Sequence, residues 1–257
     1  QIKKGKVNYI PNAKLKSLYE KNNEIDCNIV IDGKTENLKF EKVFLGCGPI
    51  NTSKIIIEST DIERLKLKTC DMLSLPYFTF KFSNPKKHSF ADIFTYFKKE
   101  KEEFFLQIYG FSKSLLSLAN NVLPITKILR YFPSLLFSNF GGIFLYVNEN
   151  NSSKLEIKKY NNNFLMSYKE PADNPKNKIK ELKILLKKSG IFVIPLISKN
   201  FKYGKSNHYG SQFPHKNNQD KYSSDRLGRI LNFKNIHIID GSVLPVLNVG
   251  PLTITII

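Results

Sequence analysis

The sequence predicts an α/β unit of the nucleotide-binding kind, interrupted by an antiparallel α+β segment. The first observation is a strand, residues 38–45, that leads through the turn Gly46–Cys47–Gly48 into a helix, residues 50–58. This order of strand, small-residue turn and helix is the layout with which α/β domains approach a nucleotide. The second is the middle region, 73–196, where aromatic strands and amphipathic helices indicate a separate antiparallel layer. The third is a short buried strand, 236–239, that returns the chain to the α/β unit.

Within the amino-terminal part, the β-branched run 27–32 predicts a strand, and Asp32–Gly33 predicts the hairpin turn that ends it. In the middle region, helices are predicted over 113–123 and 177–188. Gly190 suits the end of the second helix, whose apolar stripe consists of Ile179, Leu182, Leu185 and Leu186. Strands are predicted there over 77–82, 142–147, 154–159, 164–168 and 192–197.

The charge and hydropathy of the chain argue against two kinds of partner, nucleic acids and a membrane. The chain has 257 residues and a net charge of +18, but its basic residues are spread among Asn and Ile rather than gathered in one block. No nucleic-acid partner is therefore expected, because the charge comes without a recognition motif. The apolar tract 115–147 is broken by charged residues and prolines, whereas a membrane span needs ~20 nearly uninterrupted apolar residues. No transmembrane segment is expected.

The three cysteines are isolated and form no C-x-x-C pair. Neither a metal site nor a disulfide framework is expected, and so sparse a count favours a reducing, cytoplasmic compartment. The chain does not begin with Met, and its last residues stop inside an expected helix. These two features lead us to expect a fragment of a longer protein, truncated at both ends.

Three segments carry the chemistry. The first, residues 43–59, reads VFLGCGPINTSKIIIES; its small residues allow close backbone approach, and its helix presents N–H groups to an anion. The second, residues 207–214, reads NHYGSQFP and contains His208. The third, residues 225–245, reads DRLGRILNFKNIHIIDGSVLP and is followed at Gly250 by GPLTIT. Taken alone, a histidine in a polar loop is usually only a loop residue, and Asp240 reads as a plain turn cap.

In this order, the three segments resemble the glucose-methanol-choline family of FAD-dependent oxidoreductases. The first is similar to the family pattern V-V-L-A-A-G-x-x-x-T-P-x-L-L-x-S, and the second to H-Y-G-G-T-F-P-M. The third is similar to D-x-x-G-R-V-x-G-x-x-N-L-x-V-x-D-G-S-x-x-P and a following N-P-x-x-T. The segments lie towards both ends of the chain, whereas residues 70–200 match nothing specific.

The resemblance implies part of a Rossmann-like FAD/NAD(P)-binding domain with an inserted antiparallel-sheet substrate domain. Residues 1–70 and 201–257 would belong to the FAD-binding domain and 71–200 to the substrate domain. The implied activity is oxidation of the CH–OH group of an alcohol or sugar by hydride transfer to FAD, with an electron acceptor that the sequence does not identify. A histidine has a suitable pKa for the base that such a reaction needs.

The resemblance assigns individual residues. His208 falls on the catalytic histidine, and Asn248 is the candidate for the second catalytic group. The family usually has His or Asn directly before the terminal Pro, where this chain has Gly250. The positions matched to cofactor contacts are Gly46, Cys47, Gly48, Asp240, Gly241, Gly250, Pro251, Leu252 and Thr253.

One part of the family pattern is absent from the sequence. The motif G-x-G-x-x-G, which holds the FAD pyrophosphate, does not occur in the chain. We therefore expect the chain alone to bind FAD poorly and to be inactive. Two other functions stay open: a non-catalytic binding protein of the same fold, and, less favoured, a basic nucleic-acid-binding protein.

Overall fold

The computed structural model describes residues 7–80, 91–99, 102–110, 112, 139–171, 176–194, 203–217, 220–230 and 233–247. The chain begins with a three-stranded antiparallel sheet of β1 (Ala13–Lys21), β2 (Glu24–Ile31) and β3 (Lys34–Phe40). Asp32 and Gly33 join β2 to β3 with φ angles of 48° and 83°. Two left-handed residues are what a tight hairpin requires, so the predicted turn is confirmed.

The α/β unit contains one parallel strand pair and one helix. Strand β4 (Val43–Leu45) runs parallel to β13 (Ile236–Ile238), and helix α1 (Pro49–Ser59) follows β4. The expected single strand over 38–45 is wrong, because β3 ends at Phe40 in one sheet and β4 lies in another. Two strands are needed since β3 pairs with β2 and β4 pairs with β13. The predicted helix is confirmed.

A large antiparallel sheet forms the middle of the protein, as predicted. Its strand order is β10-β9-β5-β8-β7-β6, with β11 and β12 also paired to β5. The sixteen-residue strand β5 (Arg64–Thr79) is the shared element and runs past residue 70, where the domain boundary is expected. The other strands are β6 (Ile93–Lys99), β7 (Glu102–Tyr109), β8 (Phe140–Val147), β9 (Lys154–Tyr160), β10 (Asn163–Lys169), β11 (Ile191–Val193) and β12 (Ser206–Gly210).

Helix α2 (Lys176–Lys188) covers one face of this sheet. Its buried stripe consists of Ile179, Leu182 and Leu186, which pack against apolar side chains of β5, β7 and β8. Each such burial contributes roughly 1.5–3 kcal/mol. Leu185 does not belong to the stripe and is 43% exposed, which corrects that part of the expectation. Gly190, with φ of 81°, follows the helix as predicted.

The opposite face of the sheet carries a second apolar cluster. Cys70, Phe105 and Tyr146 project from β5, β7 and β8, and Leu244 and Leu247 of the carboxyl-terminal segment lie on them. A third cluster joins α1 to the amino-terminal strands, to β9 and to the parallel pair. The carboxyl-terminal segment therefore touches both the α/β unit and the large sheet.

The predicted helix over 113–123 lies outside the described residues, as do residues 81–82 and 195–197 of two predicted strands. Among the residues that are described, no helix is both long and apolar enough to cross a membrane. The same part of the chain contains no group of three or more His, Cys, Asp or Glu side chains placed to hold a metal ion.

Candidate functional site

The parallel strands bring two predicted cofactor contacts to the same edge. Ile238 pairs with Leu45, and the Ile239 N–H donates to the Leu45 carbonyl at 3.0 Å. The chain then leaves β4 through Gly46–Cys47–Gly48 and leaves β13 through Asp240–Gly241. Because parallel strands end on one side, both turns lie at the carboxyl edge, where α/β proteins bind ligands.

Gly48 is the residue of the first turn that most needs to be glycine. It caps α1 with φ of 80° and ψ of 146°, a conformation that residues with a Cβ rarely adopt. A Cβ placed there would meet no atom within 4 Å, so the space beside Gly48 is open. Cys47 is exposed, and a Cβ added at Gly46 would lie at ordinary contact distance from the Ile239 side chain. The turn therefore offers backbone and open space to a ligand.

Asp240 connects the second turn to the helix of the first. Its Oδ1 accepts hydrogen bonds from the Ser242 N–H, at 2.9 Å, and from the Ser242 hydroxyl, as the cap of a 3-10 helix (Gly241–Val243). Its Oδ2 accepts from the Thr52 hydroxyl in α1 at 2.6 Å. Asp240 thus caps its own turn and also connects that turn to helix α1 by a hydrogen bond. A carboxylate has about four acceptor positions, so three bonds leave capacity for a ligand.

Gln212, which the sequence analysis did not select, holds the three motif segments together. Its Nε2 carries two N–H donors, which are shared among three acceptors: the Pro49 carbonyl at 3.0 Å, Ser53 Oγ at 3.0 Å and Ser242 Oγ at 2.6 Å. The backbone follows the same path, since the Ser211 and Phe213 N–H groups donate to the Gly241 and Ser242 carbonyls. The only signal in the sequence is that Gln212 stands where the resembled family usually has Thr or Cys.

Gly210 explains how these segments approach so closely. A Cβ at Gly210 would overlap the carbonyl oxygen of Gly241, so only glycine fits at the end of β12. His208 lies two residues earlier on the same strand, opposite Cys70 of β5. The second and third motif segments are therefore adjacent, with His208 at the start of their contact and Asp240 on the neighbouring turn.

The environment of His208 is apolar and aromatic. Its ring stacks on Tyr146, with centroids 5.2 Å apart and ring planes 14° from parallel. Its Nδ1 is buried and has no hydrogen-bond partner in the described part of the structure. Burial lowers the pKa of His208, because an imidazolium would lose its hydration there. The neutral imidazole that results has one unprotonated nitrogen, as a general base requires.

A cavity of about 420 Å³ is bordered by Gln212. Its lining consists of Arg64, Leu65, Lys66, Ser211, Gln212, Pro214 and Tyr222. Neither His208 nor Asp240 belongs to that lining. This cavity is therefore distinct from the edge at Gly48 and Asp240.

The remaining predicted site residues are Asn248, Gly250, Pro251, Leu252 and Thr253, which lie outside the described residues. The last described residue before them is Leu247. Its carbonyl accepts from Cys70 Sγ at 3.5 Å, and its N–H donates to Glu149. Glu149 also forms an ion pair with Lys68, with an N–O distance of 2.6 Å. The chain is thus anchored on the His208 face of the sheet immediately before Asn248.

Comparisons with known proteins agree with this architecture at the level of fold. No protein-family model matches the chain, and no curated protein matches it significantly in sequence. Several solved structures are similar to the chain in fold. One of them is pyridoxine 4-oxidase from Mesorbium loti, with a TM-score of 0.60 and 12% identity. The match covers 95% of this chain but only 55% of that one, so this chain spans about half of its length.

Proposed function

We propose that this chain is the carboxyl-terminal part of an FAD-dependent oxidoreductase that oxidises the CH–OH group of an alcohol or sugar. The observation that carries the proposal is the meeting of all three motif segments around Gln212. The fold likeness to an oxidase supports the same reaction class. Residues 1–70 and 201–257 would form the FAD-binding part and 71–200 the substrate part. The pairing of β4 with β13 supports this division, because it joins the two outer ranges.

The edge formed by the two turns suits FAD. The open space beside Gly48 admits a ligand to the backbone, and the first N–H groups of α1 point towards that edge, where they favour a negatively charged group. The Asp240 carboxylate, held by Thr52 and Ser242, is fixed in position to accept from ribityl or ribose hydroxyl groups. Gly46, Cys47, Gly241 and the residues Gly250, Pro251, Leu252 and Thr253 complete the proposed cofactor contacts.

In the proposed reaction, bound FAD would supply the acceptor for the hydride from the carbinol carbon. His208 accepts the hydroxyl proton on its unprotonated ring nitrogen, and the product is a carbonyl compound. The low pKa that burial gives His208 keeps this nitrogen free of a proton at neutral pH. Asn248 is the proposed second group that holds the substrate hydroxyl. His208 is half-buried, and its stack on Tyr146 limits the access of water to one face of the ring.

The test uses the complete protein loaded with FAD. Alcohols and sugars are added without oxygen, and the bleaching of the flavin absorption band is followed for wild type and for His208→Ala. Removal of a general base should lower the rate of flavin reduction by about 10²–10⁴-fold. His215→Asn is the matched control, since His215 contacts Ser224 in another turn. It should reduce its flavin at the wild-type rate.

Three results would contradict parts of the proposal. If the purified complete protein contains no flavin and binds none, the assignment of the cofactor is wrong. If it binds FAD but no alcohol or sugar reduces it, a non-catalytic binding protein of this fold is favoured. If His208→Ala reduces its flavin at the wild-type rate, the catalytic role of His208 is wrong.

A further inference from the structure

Tyr146 lies between His208 and the aromatic residues of the large sheet. It pairs with Met72 of β5 on one side and with Phe105 of β7 on the other. Directly opposite residues in antiparallel strands share a face, so Tyr146, Phe105 and His208 all project from the same side of the sheet. The Phe105 ring lies 6.2 Å from the Tyr146 ring, and only 7% of Tyr146 is exposed. The stack on His208 therefore rests on a fixed ring.

Little else in the described structure holds the imidazole in one orientation. The His208 backbone is secured by the hydrogen bond from its N–H to Ser206 Oγ at 3.0 Å. Its Nδ1, however, has no hydrogen-bond partner among the described residues. Enzymes that use a histidine base usually orient it by a hydrogen bond from the second ring nitrogen to a carboxylate or carbonyl. Here the ring plane is restrained by the near-parallel contact with Tyr146.

The charged groups near this stack do not approach His208 directly. From β5 the facing titratable group is Cys70, whose pKa is raised by burial, so the thiol is neutral. From β8 it is Tyr146, whose pKa is raised in the same way. The ion pair of Lys68 and Glu149 lies beyond Cys70, next to Leu247. Burial alone accounts for the lowered pKa of His208, and Tyr146 supplies part of that burial.

We infer that Tyr146 is a positioning residue for the proposed reaction, in which its ring sets the plane of the His208 imidazole and shields one face of it from water. This inference rests on the proposed function. It assigns to an aromatic side chain the orienting role that a carboxylate plays in most histidine-based sites. The phenol hydroxyl takes no part, since the contact with His208 is made by the ring.

The inference predicts different results for two substitutions in the complete, FAD-loaded protein. Tyr146→Phe keeps the ring and should reduce its flavin within about three-fold of the wild-type rate. Tyr146→Leu removes the stack and should lower the maximal rate of flavin reduction by about 10–100-fold, the effect of a misplaced catalytic group. The KM should change little, because His208 itself remains. Tyr96→Leu is the control, since Tyr96 touches Phe105 and not His208.

A pH profile separates positioning from a general structural role. Water admitted by Tyr146→Leu should move the pKa of His208 back towards its ordinary value, so the acidic limb of the rate profile should shift to higher pH. Tyr96→Leu should leave that limb in place. If Tyr146→Leu has the wild-type rate and profile while His208→Ala is inactive, the inference is wrong and the proposed function stands. If His208→Ala keeps the wild-type rate, the role of His208 as base is wrong and the inference fails with it. If no alcohol or sugar reduces the flavin of the wild-type protein, the proposed function itself fails.

A spectroscopic measurement applies even if Tyr146→Leu does not fold. The Hε1 proton of His208 should show an upfield ring-current shift in the NMR spectrum of the wild-type protein. The shift should persist in Tyr146→Phe, which retains the ring. A His208 signal at the position of an exposed histidine in the wild-type protein would overturn the inference without any destabilising substitution.

Discussion

The hydroxyl of Thr52 donates a buried 2.6 Å hydrogen bond to Asp240, across a separation of 188 residues in the chain. Thr52 stands in the first turns of α1, and Asp240 stands at the end of β13. This bond therefore fixes the helix that follows one parallel strand relative to the turn that follows the other. The hydrogen bond thereby fixes the position of the two proposed cofactor-binding turns relative to each other.

We expect Asp240→Asn to lower the free energy of unfolding by about 1–3 kcal/mol, since the amide cannot accept from both Thr52 and Ser242 as the carboxylate does. Urea denaturation of the complete protein measures the change. Asp61→Asn is the control, because Asp61 is an exposed partner of Lys221 and should matter by less than about 1 kcal/mol. Equal effects of the two substitutions would contradict the role assigned to Asp240.

The contribution of Gln212 to stability can be tested with Met and Glu, which have side chains of similar size but different hydrogen-bonding groups. Gln212→Met should cost about 1 kcal/mol, because Ser53 and Ser242 keep other partners, Pro49 O and Asp240. Gln212→Glu should cost more at neutral pH, since a buried carboxylate would face the Pro49 carbonyl. Burial raises the pKa of the new carboxyl group above its unfolded value of about 4.3.

The raised pKa of this carboxyl group determines how the stability of Gln212→Glu depends on pH. The destabilisation by Gln212→Glu should be present above the folded pKa, shrink as the pH falls through it, and be absent below about pH 4.3. The quantity to measure is the difference in unfolding free energy between the Glu and Met variants from neutral to acidic pH. A difference that stays constant over this range would show that position 212 is open to water.

Glu149 should stabilise the carboxyl-terminal segment through two contacts, with Lys68 and with the Leu247 N–H. Glu149→Ala removes the acceptor of the buried Leu247 N–H and the ion pair of Lys68, and should cost about 2–3 kcal/mol of unfolding free energy. Glu149→Gln keeps an acceptor for Leu247 and should cost about 1 kcal/mol. Glu24→Ala breaks the exposed pair with Lys39 and should cost less than 1 kcal/mol. Thermal or urea unfolding ranks the three variants, and any other order would contradict this account.

The lowered pKa of His208 should make the folded protein less stable in mild acid. The unfolded chain binds the proton at the ordinary pKa of 6.5, whereas the folded protein binds it only at lower pH. The stability of wild type should therefore fall, relative to His208→Phe, as the pH drops below 6.5. Phe keeps the stack on Tyr146 but does not titrate. Parallel pH–stability curves for the two proteins would show that His208 titrates normally.

The elements that the sequence predicts correctly are those whose start, end and apolar pattern can be identified from neighbouring residues. The turn Asp32–Gly33, helix α1 and helix α2 each depend on residues within a few positions of one another. The long strand β5 is predicted only in part, over residues 77–82. Its odd-numbered residues from Leu65 to Tyr77 are all buried, but two of them, Thr69 and Asp71, are polar, so the hydropathy of the sequence does not show the alternation that the burial does. The prediction that Leu185 belongs to the buried stripe is wrong because the apolar residues of α2, which span two helical turns, do not all lie on the buried face of the helix.

The residues of the candidate site also fall into two groups, those that a sequence motif identifies and those that only the fold brings together. The motifs locate Gly48, His208 and Asp240 in the sequence, but no local pattern identifies Gln212, Tyr146 or Glu149. Each of these three has a partner that is distant in the sequence: Ser53 for Gln212, His208 for Tyr146 and Leu247 for Glu149. Those contacts depend on the register of β12 and β8 against β5, which only the folded chain defines.

Residues 46–235 separate the two strands of the β4–β13 pair, so a ribosome must synthesise almost all of the chain before the pair can form. Until then, β4 has no parallel neighbour, and the hydroxyl of Thr52 has no carboxylate to bind. Nascent chains that stop before residue 236 would leave the apolar side of α1 partly uncovered, and such surface attracts chaperones and proteases. The proposed cofactor-binding edge can therefore close only after residues 236–240 have been synthesised.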